Sequence, residues 1–410
     1  MKKSVGIIVA AVLIAVNAIS FAATVSADSC AIQQKQTLQN FATADLKQRD
    51  SSGYITAIAL LAQRGDSPPV AVYGGVNGIG SKIAINQNSL FQIGSITKSF
   101  ITVVILQLAQ EKHFSLDDPT LIAKYFPEYP KWGGITLRQL LNMTSGIPGN
   151  GTSKPTDIYM KFTLKEYASY ISPTEILNLT YAYPLDFKPG TSWEYSNTNY
   201  TLLGQFIQRV TGQSPEAEVN ARIIQKLSLK HTYFPVNTLQ EIPGIPPDEI
   251  VHGYAFSTKS YDPYAFMPFG QDVTDFSLSE YNSAGAMVST PSDLNTYLHA
   301  LYNPGPLLNQ AQISQLTTLV SRVNGTPFNP NKNLGNPLGF GFGIVGYYWP
   351  EEHRMVYLYN GVTTGFTAYY VYDPKTQQYF NYAVNSLADK DDAVVFKKVM
   401  ALFGDLVQCH

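Results

Sequence analysis

Cysteine is scarce in this chain. The only two, Cys30 and Cys409, stand near opposite ends of 410 residues, so there is no closely spaced set of about four ligands for a metal. Charge is scarce as well. Only 14% of residues are Asp, Glu, Lys or Arg, and they sum to −2, which argues against nucleic acid and against an anionic membrane surface as partners. The exterior must rely on neutral polar groups, to which 27 Tyr contribute. None of the six His is paired with a G-x-S-x-G elbow, which argues against a Ser-His-Asp triad. His252-Gly253-Tyr254 reads as a structural turn, and Asp117-Asp118-Pro119 as a helix-to-loop junction rather than a metal site. There is no internal repeat and no low-complexity linker.

What is present begins with a leader. Lys2 and Lys3 precede an apolar run from Val5 to Val16, and Ser20-Phe21-Ala22 or Val25-Ser26-Ala27 offers a cleavage site. That order reads as a secretory signal peptide over residues 1–27. It predicts a secreted or periplasmic protein without a stable membrane anchor; the alternative is an uncleaved anchor, for which the apolar stretch is short. In an oxidising compartment a disulfide between Cys30 and Cys409 is the natural reading, and two free thiols on frayed ends are the alternative. The length allows two or three domains or one large unit, and 45% hydrophobic residues can fill a large core.

Along the chain, Ile32, Leu38, Phe41 and Leu46 recur at roughly helical spacing. Tyr54 to Leu61 and Val70 to Tyr73 read as a strand pair around a Gly/Pro loop. Phe100 to Leu108 is apolar nearly all round, which predicts a buried helix. Leu137 to Met143 and Thr201 to Val210 look helical, and residues 146–190 look like loops and short helices walling a cleft. Strand-like runs follow at Phe340 to Val345, Met355 to Tyr359, Phe366 to Tyr372 and Tyr379 to Val384. A last helix carries Val394, Val395, Val399, Phe403 and Leu406 on one face. Strands at both ends with helices between them predict one sheet built from both termini.

Three segments carry chemistry. Gly94-Ser95-Ile96-Thr97-Lys98 stands just before the buried helix. Ser95 at a helix start places Lys98 one turn on and on the same face, and free N–H groups there favour charge developing on an attacked oxygen. A serine hydroxyl needs a base, and a desolvated lysine can be one because burial lowers its pKa. In Tyr195-Ser196-Asn197 the phenol can pass a proton, and the amide offers both a donor and an acceptor to a substrate. A second Y-x-N at Tyr379-Phe380-Asn381 sits in a core strand and is set aside. In Tyr359-Asn360-Gly361-Val362-Thr363-Thr364-Gly365-Phe366, small residues let a substrate backbone pair along a strand edge; alone, the segment reads as an ordinary hairpin.

Taken together these segments resemble the class C β-lactamase superfamily, with its D-alanyl-D-alanine peptidases and related esterases. Ile135-Thr136-Leu137-Arg138-Gln139-Leu140-Leu141, Thr144-Ser145-Gly146-Ile147-Pro148, Tyr195-Ser196-Asn197-Thr198-Asn199-Tyr200 and Ser283-Ala284-Gly285-Ala286-Met287 support the likeness, which spans residues 30 to 408. The chain has no S-D-N triplet, so the class A pattern fails. The resemblance implies an α/β (α+β) β-lactamase/DD-peptidase-like fold: an antiparallel sheet flanked by terminal helices, with an inserted, mostly helical domain. Its α/β part covers about 30–94 and 330–410 and its helical part about 95–329, all within a catalytic unit over 28–410.

The resemblance also implies roles. Ser95 is the acylated nucleophile, Lys98 its base or proton relay and Tyr195 the proton donor to the leaving group. Asn197, Tyr359, Asn360 and Gly361 contact substrate, and the backbone N–H groups of Ser95 and Val362 form the oxyanion hole. No metal or organic cofactor is implied, and the substrate is a small molecule, peptide or ester. There is one departure: the third motif begins with Lys or His in the family, but here with Tyr359. A phenol brings no charge to a substrate carboxylate, unless Arg354 or His353 restores one. The resulting expectation is acyl transfer on D-alanyl peptides first, then a broad esterase, then a β-lactamase, with a catalytically idle binding domain as the non-enzyme alternative.

Overall fold

The computed structural model describes residues 29–47, 54–149, 169–256, 269–330, 336–388 and 392–408. Helix α1 covers 29–47, with Leu38 and Ala42 buried and Ile32 exposed. Strands β1 (Ala57–Arg64) and β2 (Val70–Gly75) form the expected antiparallel pair. The first six residues of β1 are all buried. Such a continuous run marks a strand covered on both faces.

Short strand β3 (Phe91–Gln92) leads to helix α2 (Thr97–Glu111). Helices α3 (Leu137–Leu141), α4 (Pro173–Tyr181) and α5 (Asn197–Thr211) follow. α3 and α4 start with complete capping boxes, Thr136 with Gln139 and Ser172 with Glu175. Each box supplies acceptors for orphan N–H groups, which lets short helices hold their ends. Strands β4 (Tyr254–Phe256) and β5 (Gln271–Asp272), helix α6 (Asn282–Gly285), strand β6 (Val288–Ser289) and helix α7 (Pro291–Tyr302) come next.

The remaining strands are β7 (Val320–Ser321), β8 (Leu338–Phe340), β9 (Val345–Trp349), β10 (Arg354–Thr363), β11 (Phe366–Asp373), β12 (Gln378–Val384) and β13 (Ser386–Ala388). Helix α8 (Asp392–Val407) ends the chain. An eight-stranded sheet runs β2-β1-β12-β11-β10-β9-β8-β7 with every pairing antiparallel.

Adjacent residues of β12 show the layering. The Asn381 amide donates to Asn295 Oδ1 of α7 at 3.2 Å, while Tyr382 meets the Phe41 ring of α1 edge-on. Alternation along a strand puts these on opposite faces. The terminal helices share the second face. Gln34 of α1 donates to the Leu406 carbonyl of α8 at 3.1 Å, and Lys398 pairs with Asp45. The architecture is the mixed α/β arrangement expected, an antiparallel sheet with terminal helices on one side.

Two local expectations change. Phe340 to Val345 is not one strand, because Gly341 N–H donates to the Ile344 carbonyl at 2.9 Å and closes a turn between β8 and β9. Val394 faces outward at 51% exposure, while Val399, Phe403 and Leu406 are buried. The Thr363-Thr364-Gly365-Phe366 stretch is a tight hairpin, with Thr363 opposite Phe366. His252 and Asp117 are structural: His252 N–H donates to the Asn77 carbonyl, and Asp117 pairs with Arg138. Cys30 lies in α1, but Cys409 and residues 1–28 lie outside the described residues. Among those described, no helix is long and apolar enough to cross a membrane.

Candidate active site

Helix α2 forms the floor of the site and is buried from Thr97 to Leu106. Phe100, Ile101, Val103, Val104, Ile105, Leu106 and Leu108 are all buried, which fixes the helix in place. A 3-10 turn, Gly94–Ile96, joins it to the preceding strand and presents Ser95 at its mouth. Two glycines make the approach possible. Gly94 adopts φ +49, and a Cβ there would lie 2.6 Å from Val362 N; a Cβ on Gly361 would lie 1.8 Å from the Ile93 carbonyl. Strand β9 leaves β10 after Leu358, so the β10 edge beyond it is free to meet this turn. The Ser95 and Val362 N–H groups thus belong to segments in direct contact, the placement that an oxyanion hole requires.

Lys98 is completely buried. Its amine lies 2.9 Å from Ser95 Oγ, 2.8 Å from Asn197 Oδ1 and 2.7 Å from the Ala284 carbonyl. Burial holds this amine below the ordinary lysine value, partly opposed by Tyr195. A neutral amine has two N–H donors and one lone pair. The two carbonyl-type acceptors orient both donors and leave the lone pair for the Ser95 hydroxyl. The Ala284 carbonyl is a component that residue types could not disclose. Its only sequence trace is the Ser283-to-Met287 block, which forms the end of α6 and the two residues before β6.

Tyr195 OH lies 2.7 Å from Ser95 Oγ on the other side, and its ring lies 4.9 Å from the Lys98 amine. The polar residues that follow it anchor the start of α5. Ser196 and Thr198 hydroxyls both donate to the Pro148 carbonyl, Asn199 donates to the Leu140 carbonyl, and Tyr200 OH to that of Leu141. The Tyr-Ser-Asn-Thr-Asn-Tyr run therefore fastens the phenol and the Asn197 amide to the end of α3 and the loop after it.

Tyr359 departs from expectation. Its side chain is 2% exposed, with the OH 3.3 Å from Tyr195 OH and the ring edge-on to Phe340. Burial, reinforced by Tyr195, pushes this phenol well above its ordinary value. It is a neutral partner for Tyr195 rather than an exposed group for a substrate carboxylate. Asn360 stays half-exposed at the strand edge. Arg354 does not restore the missing charge. It pairs with Glu352 and Asp373 at 2.9 Å each, five residues before Tyr359, about 17 Å along the strand. His353 sits in a left-handed turn beside it.

The structure thus brings Ser95, Lys98, Tyr195, Asn197 and the 359–362 edge to one place. Chemically, the arrangement can remove the serine proton, return one through a phenol and hold an oxyanion on backbone N–H groups.

A family model described as Beta-lactamase matches residues 42–402. Protein flp of Staphylococcus aureus (strain MW2) is 28% identical over 341 residues, 81% of this chain and 59% of that protein. Penicillin-binding protein 4* of Bacillus subtilis (strain 168) is 26% identical over 67% of this chain and 56% of its own length. The chain spans less than two thirds of these curated relatives. Among solved structures, a D-stereospecific amidohydrolase from Streptomyces sp. is 26% identical with a TM-score of 0.70, covering 89% of this chain and 97% of that one. The D-amino acid amidase from Ochrobactrum anthropi SV3 complexed with D-phenylalanine is 26% identical with a TM-score of 0.68, covering 87% and 94%.

Proposed function

Because this chain belongs to the beta-lactamase family, a family of acyl-transfer serine hydrolases, we propose that it hydrolyses D-alanyl peptides through an acyl-enzyme on Ser95. The observation that carries this reading is the double contact on Ser95 Oγ, from Lys98 Nζ at 2.9 Å and Tyr195 OH at 2.7 Å. Lys98, as a neutral amine, takes the hydroxyl proton as Ser95 attacks the carbonyl. The Ser95 and Val362 N–H groups hold the oxyanion. Tyr195 protonates the leaving amine, and Asn197, its Oδ1 held by Lys98, donates from Nδ2 to the amide carbonyl of the acyl portion. Water then enters by the reverse path. Likeness to a D-stereospecific amidohydrolase and a D-amino acid amidase supports D-configured substrates. Residues 1–27 are read as an export signal, which would place the enzyme outside the cytoplasm.

Tyr359 favours a second reading. With a phenol in place of a cation at position 359 of the β10 edge, neutral leaving groups lose nothing, so a broad esterase follows the peptidase, and a β-lactamase ranks third. The test is release of free D-alanine from an N-acylated D-alanyl-D-alanine peptide, against its all-L counterpart and a phenyl ester. The peptidase reading expects release from the D,D peptide and not from its all-L counterpart, abolished in Ser95→Ala. Cleavage confined to the phenyl ester would transfer the assignment to an esterase. Ligand binding without turnover, unaffected by Ser95→Ala, would mean an idle binding domain.

A further inference from the structure

A cavity of about 660 Å³ opens between the loop after β2 and the approach to β4, a size in the range of small-molecule sites. Asn77, Gly78 and Ile83 line it from the loop, and Asp248, His252 and Tyr254 from the other side. None of Ser95, Lys98, Tyr195 and Asn197 lines it. The loop is pinned in place by its own backbone. Asn77 N–H donates to the Ile83 carbonyl at 2.9 Å, and the Asn77 carbonyl accepts from His252 N–H at 2.7 Å. A Cβ on Gly78 would lie 2.9 Å from Tyr254 OH and 3.2 Å from the His252 ring, so the missing side chain leaves room for both groups at the wall.

Several polar groups here are unmet. Asn77 is 4% exposed, yet its side-chain amide has no hydrogen-bond partner among the described residues. A buried amide left so is costly. Tyr254, equally buried, accepts from Ile79 N–H at 2.7 Å, and its own O–H proton has no acceptor among the described residues. His252 Nδ1 lies 2.9 Å from Asp272 Oδ2; a carboxylate there holds the ring proton on Nδ1 and leaves Nε2 as an acceptor. Asp272 is otherwise occupied by Thr274. Asp248 is exposed and forms no ion pair among the described residues.

We propose that this cavity binds a neutral saccharide, at a site separate from the catalytic cleft. The proposal goes beyond the Ser95 hydrolase reading and does not depend on it. The donor set selects the ligand class. The lining holds no Lys or Arg and includes Asp248, which disfavours an anion. An ammonium only donates, so it would leave the Asn77 Nδ2 and Tyr254 O–H donors unmet. A hydroxyl both donates and accepts, so a polyhydroxylated ring answers the Asn77 amide, the Tyr254 hydroxyl, the His252 nitrogen and the Asp248 carboxylate together. Ile79 and Ile83, 49% and 45% exposed, offer apolar contact to the C–H face of such a ring. Among the described residues, no group of His, Cys, Asp and Glu is placed to hold a metal ion.

The test is a saturation-transfer NMR titration of the full chain with cellobiose and N,N′-diacetylchitobiose, with glucuronic acid and putrescine as charged probes. Wild-type protein is compared with Asn77→Ala and Asp248→Ala, each checked for native circular dichroism; Asp248 is on the surface, so its variant keeps the test valid should Asn77→Ala unfold. At least one neutral disaccharide is expected to bind, and each substitution to weaken it about fivefold to tenfold, the ordinary worth of a hydrogen bond. Equal affinity for the disaccharide and its hexamer would point to a free sugar or chain end as the ligand, and tighter binding of the hexamer to the interior of a polysaccharide. Binding of neither disaccharide, binding unchanged in both variants, or tighter binding of putrescine or glucuronic acid overturns the proposal. Loss of ester turnover at Ser95 is a separate result, which strikes the hydrolase reading and leaves this site standing.

Discussion

Lys98 carries the heaviest demand of any single residue in the site. Its amine is buried, contacts no carboxylate within hydrogen-bond reach among the described residues, and sits below the ordinary lysine value because of that burial. The sign follows directly. A depressed lysine value means the neutral amine is populated at lower pH than for a free lysine. Acylation should therefore rise with pH through the Lys98 transition and level off above it, at lower pH than an exposed lysine would give. A pH series of kcat/KM on a phenyl ester measures this. Lys98→Ala should cost about 100-fold to 10,000-fold, the usual worth of a positioned base. A profile still climbing with the midpoint of a free lysine would contradict the assignment. Ser95 and Lys98 were legible in the sequence because their spacing is a helical turn and the helix after them is apolar. The burial of Tyr359 was not, since it depends on Phe340 and Tyr195 arriving from distant segments.

Between elements, the join that matters most is made by a residue without a motif. Asn385 lies between β12 and β13 and is fully buried. Its Oδ1 accepts from the N–H groups of Thr56 at 3.0 Å and Ala57 at 2.9 Å. Its Nδ2 donates to Thr56 Oγ1 at 2.6 Å and the His252 carbonyl at 2.8 Å. One amide thus satisfies the entry to β1 and the approach to β4. Removing it strands several buried polar groups, each costing about 1 to 3 kcal/mol. Asn385→Ala is expected to lower stability by about 3 kcal/mol or more, seen as a reduced urea midpoint with an unchanged slope. A loss under about 1 kcal/mol would show that the join lies elsewhere. Strand existence was legible from apolar runs, but strand ends were not. β1 starts at Ala57 rather than Tyr54 because its first paired residue is the one opposite Gly75.

At the scale of the whole molecule, a sheet assembled from both ends of the chain holds β10 rigid while the helical segment supplies Ser95, Lys98, Tyr195 and Asn197. That division explains why the site is spread over residues 94 to 362 and still closes to contacts under 3 Å. That one sheet draws strands from both termini could be anticipated. The close meeting of Gly94 with Val362 could not, because it arises from packing of the nucleophile turn on an unpaired strand edge. The account stands or falls on where the acyl group goes. The direct measurement is acid quench of the enzyme during turnover of a phenyl ester of N-acetyl-D-alanine, followed by peptide mapping by mass spectrometry. The account predicts the acyl mass on the peptide containing Ser95, absent in Ser95→Ala and scarcely formed in Lys98→Ala. Acyl mass on another residue, or turnover that survives in Ser95→Ala, would contradict it.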